Sequence, residues 1–224
     1  MSKGLFVVGT GTDVGKTYIT ALLVKALKRN GKSAAYYKAA MSGNSRDNTG
    51  KLIAGDAQYV KNISGINQPE CEMCPYLYEK AYSPHLAAKI EKNPVSLARV
   101  TERFEELKSR YEYITVEGSG GIVCPLRYDG EELYLTDVIR VLKLSCVLVA
   151  DAGLGAINSV VLTADYMRAR GFKLNGIIMN RFIKGDPICE DNAVMCEKLT
   201  GVKVVARIRN GACEFPVSPE FLYE

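Results

Sequence analysis

The chain has 224 residues, 47% of them hydrophobic and 24% charged, which is too apolar and too evenly charged for a disordered protein. Its length exceeds one typical domain but falls short of two, so a single large α/β or all-β domain with a full core is expected. Lys and Arg number 29 against 25 Asp and Glu, and the resulting +4 includes no basic run longer than Lys28-Arg29, so no nucleic-acid partner is expected.

The chain opens with an apolar run at residues 5–8 that reads as a strand and is too short for a secretory h-region. A helix follows, its Ile19, Leu22, Leu23, Ala26 and Leu27 forming an i, i+3, i+4, i+7, i+8 stripe. A second strand is expected at 33–37, and residues 38–82 are the least regular part of the chain. Leu97, Val100, Phe104 and Leu107 mark a second amphipathic helix, with a strand after it at 113–116. The longest wholly apolar run, 146–150, reads as another strand, since a membrane helix needs roughly 20 such residues. Ile157, Val160, Val161, Ala164 and Met167 mark a third helix, and strands at 174–179 and 202–206 continue the alternation. Residues 208–224 read as a tail in which Pro216 and Pro219 limit helix. Gly31, Gly171 and Gly201 stand where three helices must end in a left-handed residue.

This alternation, with no repeat or linker to divide it, predicts an α/β fold of a single domain with a mostly parallel central sheet flanked by helices. Seven cysteines are an odd number, and with no leader or membrane span expected they are read as reduced thiols of a soluble, cytoplasmic protein.

Each apolar run ends in polar or glycine-rich residues: Gly9-Thr10-Gly11-Thr12, Lys38, Glu117-Gly118-Ser119-Gly120-Gly121, Asp151-Ala152-Gly153 and Asn180-Arg181. In a parallel sheet these lie along one edge, where open α/β folds bind ligands. Gly9-Thr10-Gly11-Thr12-Asp13-Val14-Gly15-Lys16-Thr17 follows a strand and opens a helix, so its backbone N–H groups and helix N-terminus suit a phosphate. Lys16 is placed to reach the β- and γ-phosphates and Thr17 to reach Mg²⁺. Thr10 stands where G-x-x-x-x-G-K-[ST] has its first glycine, and Gly9 makes the loop one residue longer. The bland alternative is a glycine-rich turn without a ligand. A dinucleotide fingerprint fits worse, because position 14 is valine and Lys16-Thr17 has no place in it.

Mg²⁺ takes oxygen ligands, commonly one or two of them carboxylates, and Glu117 at a strand end is well placed to be one. Asp56 is a second candidate, although an exposed acid or helix cap fits the residues equally well. Lys38 is either a solvated lysine or, with Ser42 four residues on, a cation that stabilises charge on a transferred group. Ser83-Pro84-His85 reads as a capping Ser with Pro at the first helical position, which explains the surroundings of the only histidine. Cys71-x-x-Cys74 has no matching second pair, so reduced thiols fit better than zinc.

Jointly these motifs resemble one family, the dethiobiotin synthetases, from the start of the chain to about residue 205. The resemblance is carried by the long phosphate loop, Tyr37-Lys38 with Ser42, Asp56, Ser83-Pro84-His85, Val116-Glu117-Gly118-Ser119-Gly120-Gly121 and Leu154-Gly155-Ala156-Ile157-Asn158. It implies a P-loop NTPase fold, a homodimer, and Mg²⁺ held by Thr17, Asp56 and Glu117. ATP would be the co-substrate, bound by Gly11, Thr12, Asp13, Val14, Gly15, Lys16, Thr17, Tyr18, Glu117 and Gly120, with Asn180 at the purine. The implied reaction joins CO₂ to 7,8-diaminononanoate as a carbamate, phosphorylates it and closes the ureido ring, releasing dethiobiotin, ADP and phosphate. Lys16, Lys38 and Thr12 would be catalytic, while Ser42, Gly155, Ala156, Ile157 and Asn158 would bind the diamine. The chain departs from the family at Ile208-Arg209-Asn210, where a proline is usual beside the base, and at Asp151, where a carboxylate is uncommon.

Two other functions share such a loop. A dimeric ATPase switch of the partitioning or metal-delivery type carries a lysine five residues before the loop lysine, and here that position is Gly11. No basic or amphipathic membrane tail is evident in the sequence either. A small-metabolite kinase needs only positioning and charge neutralisation, which the loop alone supplies. Lys38 with Ser42 and the 155–158 motif favour the carboxylase.

Overall fold

A computed structural model describes residues 2–223. In chain order the strands are β1 (Lys3–Gly9), β2 (Ala34–Lys38), β3 (Tyr113–Glu117), β4 (Pro125–Tyr128), β5 (Glu132–Tyr134), β6 (Ser145–Asp151), β7 (Leu174–Asn180) and β8 (Val204–Ile208). Six of them form one parallel sheet in the order β2-β3-β1-β6-β7-β8, while β4 and β5 make a separate antiparallel hairpin. The helices are α1 (Lys16–Arg29), α2 (Gly55–Ser64), α3 (Pro84–Ile90), α4 (Leu97–Lys108), α5 (Leu135–Leu142), α6 (Ala156–Ala169) and α7 (Pro187–Thr200).

Strand alternation sorts the core into two layers. Leu5, Val7, Tyr36, Val147, Val149 and Ile178 face α1 and α2, whereas Phe6, Val8, Tyr37, Val116, Leu148 and Met179 face α4 to α7. Both faces are covered, so the central strands are apolar on both sides, as parallel strands require. The α1 stripe is buried as its spacing predicts, but Thr20, Ala21 and Val24 are buried too. Their flank is covered by α2 and by the 3-10 turn Pro219–Tyr223. Residues beyond β8 therefore return to the body, with Phe215, Leu222 and Tyr223 buried and the Tyr223 hydroxyl bonded to Thr115.

Four elements are additional to those read from the sequence. Within the irregular segment, α2 ends at Gly65 in the left-handed conformation (φ 68°). The β4–β5 hairpin is too short for a periodic signal. The α5 helix buries Leu135, Val138, Ile139 and Leu142, and α7 buries Cys189, Asn192, Ala193, Cys196 and Thr200. The α7 helix is the one expected to end at Gly201, which is left-handed there (φ 71°), so the additional elements are α2, β4, β5 and α5; its buried face lacks an aliphatic stripe because Cys189 and Cys196 pack on it as small hydrophobes.

Burial sets a pH limit on this fold. It raises the hydroxyls of Tyr37, Tyr78 and Tyr223 above their ordinary 10.0, and the Cys74 and Cys146 thiols from 9.0 to about 12. The folded chain keeps protons that the unfolded chain releases above those ordinary values, so stability falls as pH rises past about 9. Urea midpoints at pH 8 and pH 11 should differ by at least about 1 kcal/mol in unfolding free energy, with pH 11 the weaker. Equal midpoints would contradict neutral burial of these groups.

Candidate active site

The loops leaving β1, β2 and β3 converge on one cleft of about 1150 Å³. Its floor is the phosphate loop, which turns from β1 into α1 through two left-handed residues, Asp13 (φ 60°) and Gly15 (φ 89°). Gly15 must be glycine, because a Cβ there would lie 2.1 Å from Asn180 Nδ2 as well as demanding a positive φ. Lys16, the first residue of α1, is buried and donates from Nζ to Gly11 O at 2.8 Å. Burial lowers its pKa from the ordinary value, and the nearby Glu117 carboxylate works against that shift.

Above the loop lies a cluster built by sheet register. β2 pairs with β3 so that Lys38 stands opposite Glu117, both at the strand ends. Lys38 Nζ donates to Glu117 Oε1 at 2.7 Å and to Asp56 Oδ2 at 2.6 Å. The Thr17 hydroxyl lies 2.8 Å from Glu117 Oε1 and 3.3 Å from Asp56 Oδ1. Burial alone would depress Lys38, but the charges of Glu117 and Asp56 prevail and hold it above its ordinary value, fully protonated. Asp56 occupies the first turn of α2, whose cap residue is Ala54, so its carboxylate serves the cluster rather than the helix end. One hydroxyl and two carboxylates thus meet at one point, an oxygen set that suits Mg²⁺ completed by phosphate and water.

Tyr36 is a further functional residue that sequence reasoning missed. It is fully buried, and its hydroxyl donates to Glu117 Oε2 at 2.9 Å, the oxygen that Lys38 leaves free. Burial keeps this hydroxyl neutral to well above its ordinary pKa, so it remains a donor. Gln68 holds Tyr36 in place from the open side of β2, accepting from its N–H at 2.8 Å and donating to its C=O at 3.0 Å. The side-chain amide thereby imitates a neighbouring strand at Tyr36, as Met73 O does two residues on by accepting from the Lys38 N–H at 2.8 Å. The only signal in the sequence is a tyrosine on the opposite strand face from Tyr37.

Thr12, Asp13, Gly15, Lys16, Thr17, Tyr18, Lys38, Ser42, Asp56, Glu117 and Gly120 all line the cleft. Gly11 contributes the carbonyl that holds Lys16. Val14 and Asn180 lie behind the loop, where Asn180 Nδ2 donates to Val14 O at 2.9 Å. Asn180 Oδ1 is buried without a partner. Gly155, Ala156, Ile157 and Asn158 do form a helix N-terminus, with Gly155 left-handed (φ 84°) as the residue before α6, but they do not line this cleft. Arg209 lines a second cleft of about 940 Å³ with Phe182 and Ile208, on the β7–β8 side. Asp151 ion-pairs with Arg181 at 2.5 Å. Ser83 precedes α3 with Pro84 at its first turn, as read from the sequence, but its side chain makes no capping bond; only its backbone C=O accepts, from the N–H groups of Leu86 and Ala87.

Comparison with known proteins adds kinship to this geometry. The family model described as an AAA domain matches residues 3–212. The ATP-dependent dethiobiotin synthetase BioD of Brachyspira hyodysenteriae is 45% identical over 212 residues, covering 94% of each chain. The proteins of the same name from Clostridium kluyveri (46% identical, covering 94% of this chain and 87% of the relative) and Clostridium perfringens (42%, covering 93% and 91%) are similar to it as well. Among solved structures, the MinC:MinD cell division complex of Aquifex aeolicus superposes with a TM-score of 0.58 at 16% identity, covering 99% of this chain and 86% of that one. A ParA family ATPase from Chlorobium tepidum gives 0.56 at 16% identity, covering 93% and 84%. At that identity these two speak for the fold alone.

The buried hydroxyl of Tyr36 yields a direct expectation. Tyr36→Phe keeps the ring but strips Glu117 Oε2 of its donor, so unfolding free energy should drop by about 1–3 kcal/mol at pH 7. Urea denaturation measures it, and a loss no larger than the error would remove Tyr36 from the support of Glu117.

Proposed function

The chain belongs to the ATP-dependent dethiobiotin synthetase family, and from that premise we propose that it carboxylates 7,8-diaminononanoate with CO₂ and closes the ring to dethiobiotin at the expense of ATP. The observation that carries this reading is that two buried lysines, Lys16 and Lys38, line one cleft around the Thr17–Asp56–Glu117 oxygens. A phosphate loop with one lysine would serve any phosphoryl transfer; the second cation gives the acceptor a site of its own. Gly11 stands where partitioning-type ATPases carry their extra lysine, which weighs against that switch.

One amine of the substrate adds to CO₂ and loses a proton to give a carbamate. The carbamate oxygen attacks the γ-phosphorus and ADP departs, leaving a mixed carbamic-phosphoric anhydride. The second amine then attacks the carbonyl carbon, phosphate leaves and the five-membered urea closes. In this scheme the N–H groups of the loop and Lys16 hold the ATP phosphates, and Lys38 holds the carbamate oxygens as charge builds on them. Ser42 and Thr12, on the wall of the same cleft, orient the diamine and its carbamate. Thr17, Asp56 and Glu117 would hold Mg²⁺, which when bound offsets phosphate charge. The Lys38 ammonium rests on both carboxylates and would turn to the carbamate oxygens where those carboxylates are engaged by the metal. Asn180 Oδ1, a buried acceptor without a partner, fits an exocyclic amine such as that of adenine.

The segment Gly155 to Asn158 is the proposed holder of the substrate carboxylate, through free N–H groups at the start of α6. Because it does not line its own chain's cleft, the reading requires a homodimer in which one protomer serves its partner's substrate. We place the enzyme in the cytoplasm; no helix among the described residues is long and apolar enough to cross a membrane.

Protein, diamine, ATP and labelled bicarbonate should together give an acid-stable labelled product that is lost when any component is omitted. Lys16→Ala should abolish turnover, while Lys38→Ala should still bind ATP and lose roughly 10²-fold or more in turnover. Unchanged turnover in Lys38→Ala would remove that residue from the mechanism, and an absence of label in the wild type would overturn the reaction itself.

A further inference from the structure

Two carbonyls of the phosphate loop are held by two consecutive residues, the second of which also lines the cleft. Asn180, the last of β7, donates to Val14 O at 2.9 Å. Arg181, the next residue, donates from Nη2 to Asp13 O at 2.7 Å. Its other terminal nitrogen, Nη1, bonds Asp151 Oδ2 at the end of β6, while Asp151 Oδ1 accepts from the N–H of Gly153 at 2.9 Å. Asn192 on α7 fixes the turn that follows, donating to the carbonyls of Ala152 and Gly153 at 2.9 and 2.7 Å. The Asp151 carboxylate is therefore anchored through Gly153, whose turn Asn192 holds, before it meets the arginine.

Both residues joined by the Arg181–Asp13 bond sit in the left-handed region, at φ 54° and φ 60°, where a side chain costs energy unless something holds it. The C=O and N–H of a trans peptide point in opposite directions. A donor that captures Asp13 O on one side consequently leaves the N–H of Val14 pointing to the other. We propose that Arg181, oriented by Asp151, is a positioning residue for the phosphate loop, fixing the Asp13–Val14 peptide so that its N–H is presented to the nucleotide phosphates. This assigns a role to the carboxylate at Asp151, which departs from the family pattern.

An exposed ion pair by itself is worth little, and both side chains here are almost half exposed, at 47% and 44%. The arrangement differs from such a pair because the guanidinium uses separate nitrogens for the carboxylate and the carbonyl, so fixing one fixes the other. Its effect belongs to nucleotide affinity and not to the stability of the fold.

The proposal rests on the reading of the loop as an ATP site, and ADP binding followed by calorimetry separates the two. Wild type, Arg181→Ala, Asp151→Asn and the double variant are titrated with ADP, alongside thermal melts and ATP and diamine KM values. Arg181→Ala should weaken ADP about tenfold and Asp151→Asn about threefold, with the double variant within about twofold of Arg181→Ala because the two act as one unit. The ATP KM should rise in step while the diamine KM and the melting temperature hold, a split that a general loosening of the fold would not give. ADP affinity unchanged in Arg181→Ala, or fully additive losses in the double variant, would overturn the proposal with the ATP site intact. A wild type that does not bind ADP would remove the ATP site and this proposal together.

Discussion

One ion cluster organises the functional edge of this molecule. Lys38 and Glu117 come from β2 and β3 and would each be costly to bury without a partner, while Asp56 joins them from the partly exposed start of α2. The penalty is met by saturation: Lys38 bonds both carboxylates, Tyr36 takes the second oxygen of Glu117, and Thr17 closes the side towards the phosphate loop. What fixes the cluster is the register of β2 on β3, which sets Lys38 opposite Glu117. Because strand side chains alternate, a slip of one residue would turn both charges into opposite layers of the core. Gln68, gripping the backbone of Tyr36, guards that register from the open edge.

The second constraint is the shape of the phosphate loop, and it is met from the other half of the sheet. Asn180 fills the space that a Cβ on Gly15 would need and ties down Val14, so the tip of β7 and the loop after β1 are complementary surfaces. The site is thus suspended between two sets of strand ends, β2 and β3 supplying charge, β6 and β7 holding backbone. This division explains why consecutive residues such as Tyr36 and Tyr37 do unrelated work. Tyr37 faces the α4 layer and bonds Val100 O at 2.8 Å, a packing role, while Tyr36 faces the cluster.

Much of this was legible in the sequence for physical reasons. Every predicted strand of the main sheet forms, within one or two residues of the expected ends, because fully buried parallel strands are short apolar runs with polar stops. Lys16, Thr17, Lys38, Asp56 and Glu117 meet in one cleft because strand ends in such a sheet share an edge. The parts that were not legible depend on contacts between distant residues. Nothing local in Tyr36, Gln68 or Arg181 marks them, since their roles arise only when β2 becomes an edge strand and β7 lies beside the loop. The end of α7 at Gly201 was legible, but its buried face was masked by cysteines, and the packing of Tyr223 against Thr115 by prolines that read as a tail.

Asp56 and Glu117, on which the Lys38 ammonium now rests, are the proposed cation site. The site is tested most directly by titrating Mn²⁺ into nucleotide-free wild type and Lys38→Met and following the free ion by electron paramagnetic resonance. Removing the ammonium leaves two carboxylates without their counter-charge, so Lys38→Met should bind one Mn²⁺ at least about tenfold more tightly than the wild type. Equal or weaker binding by a folded Lys38→Met protein would contradict the account.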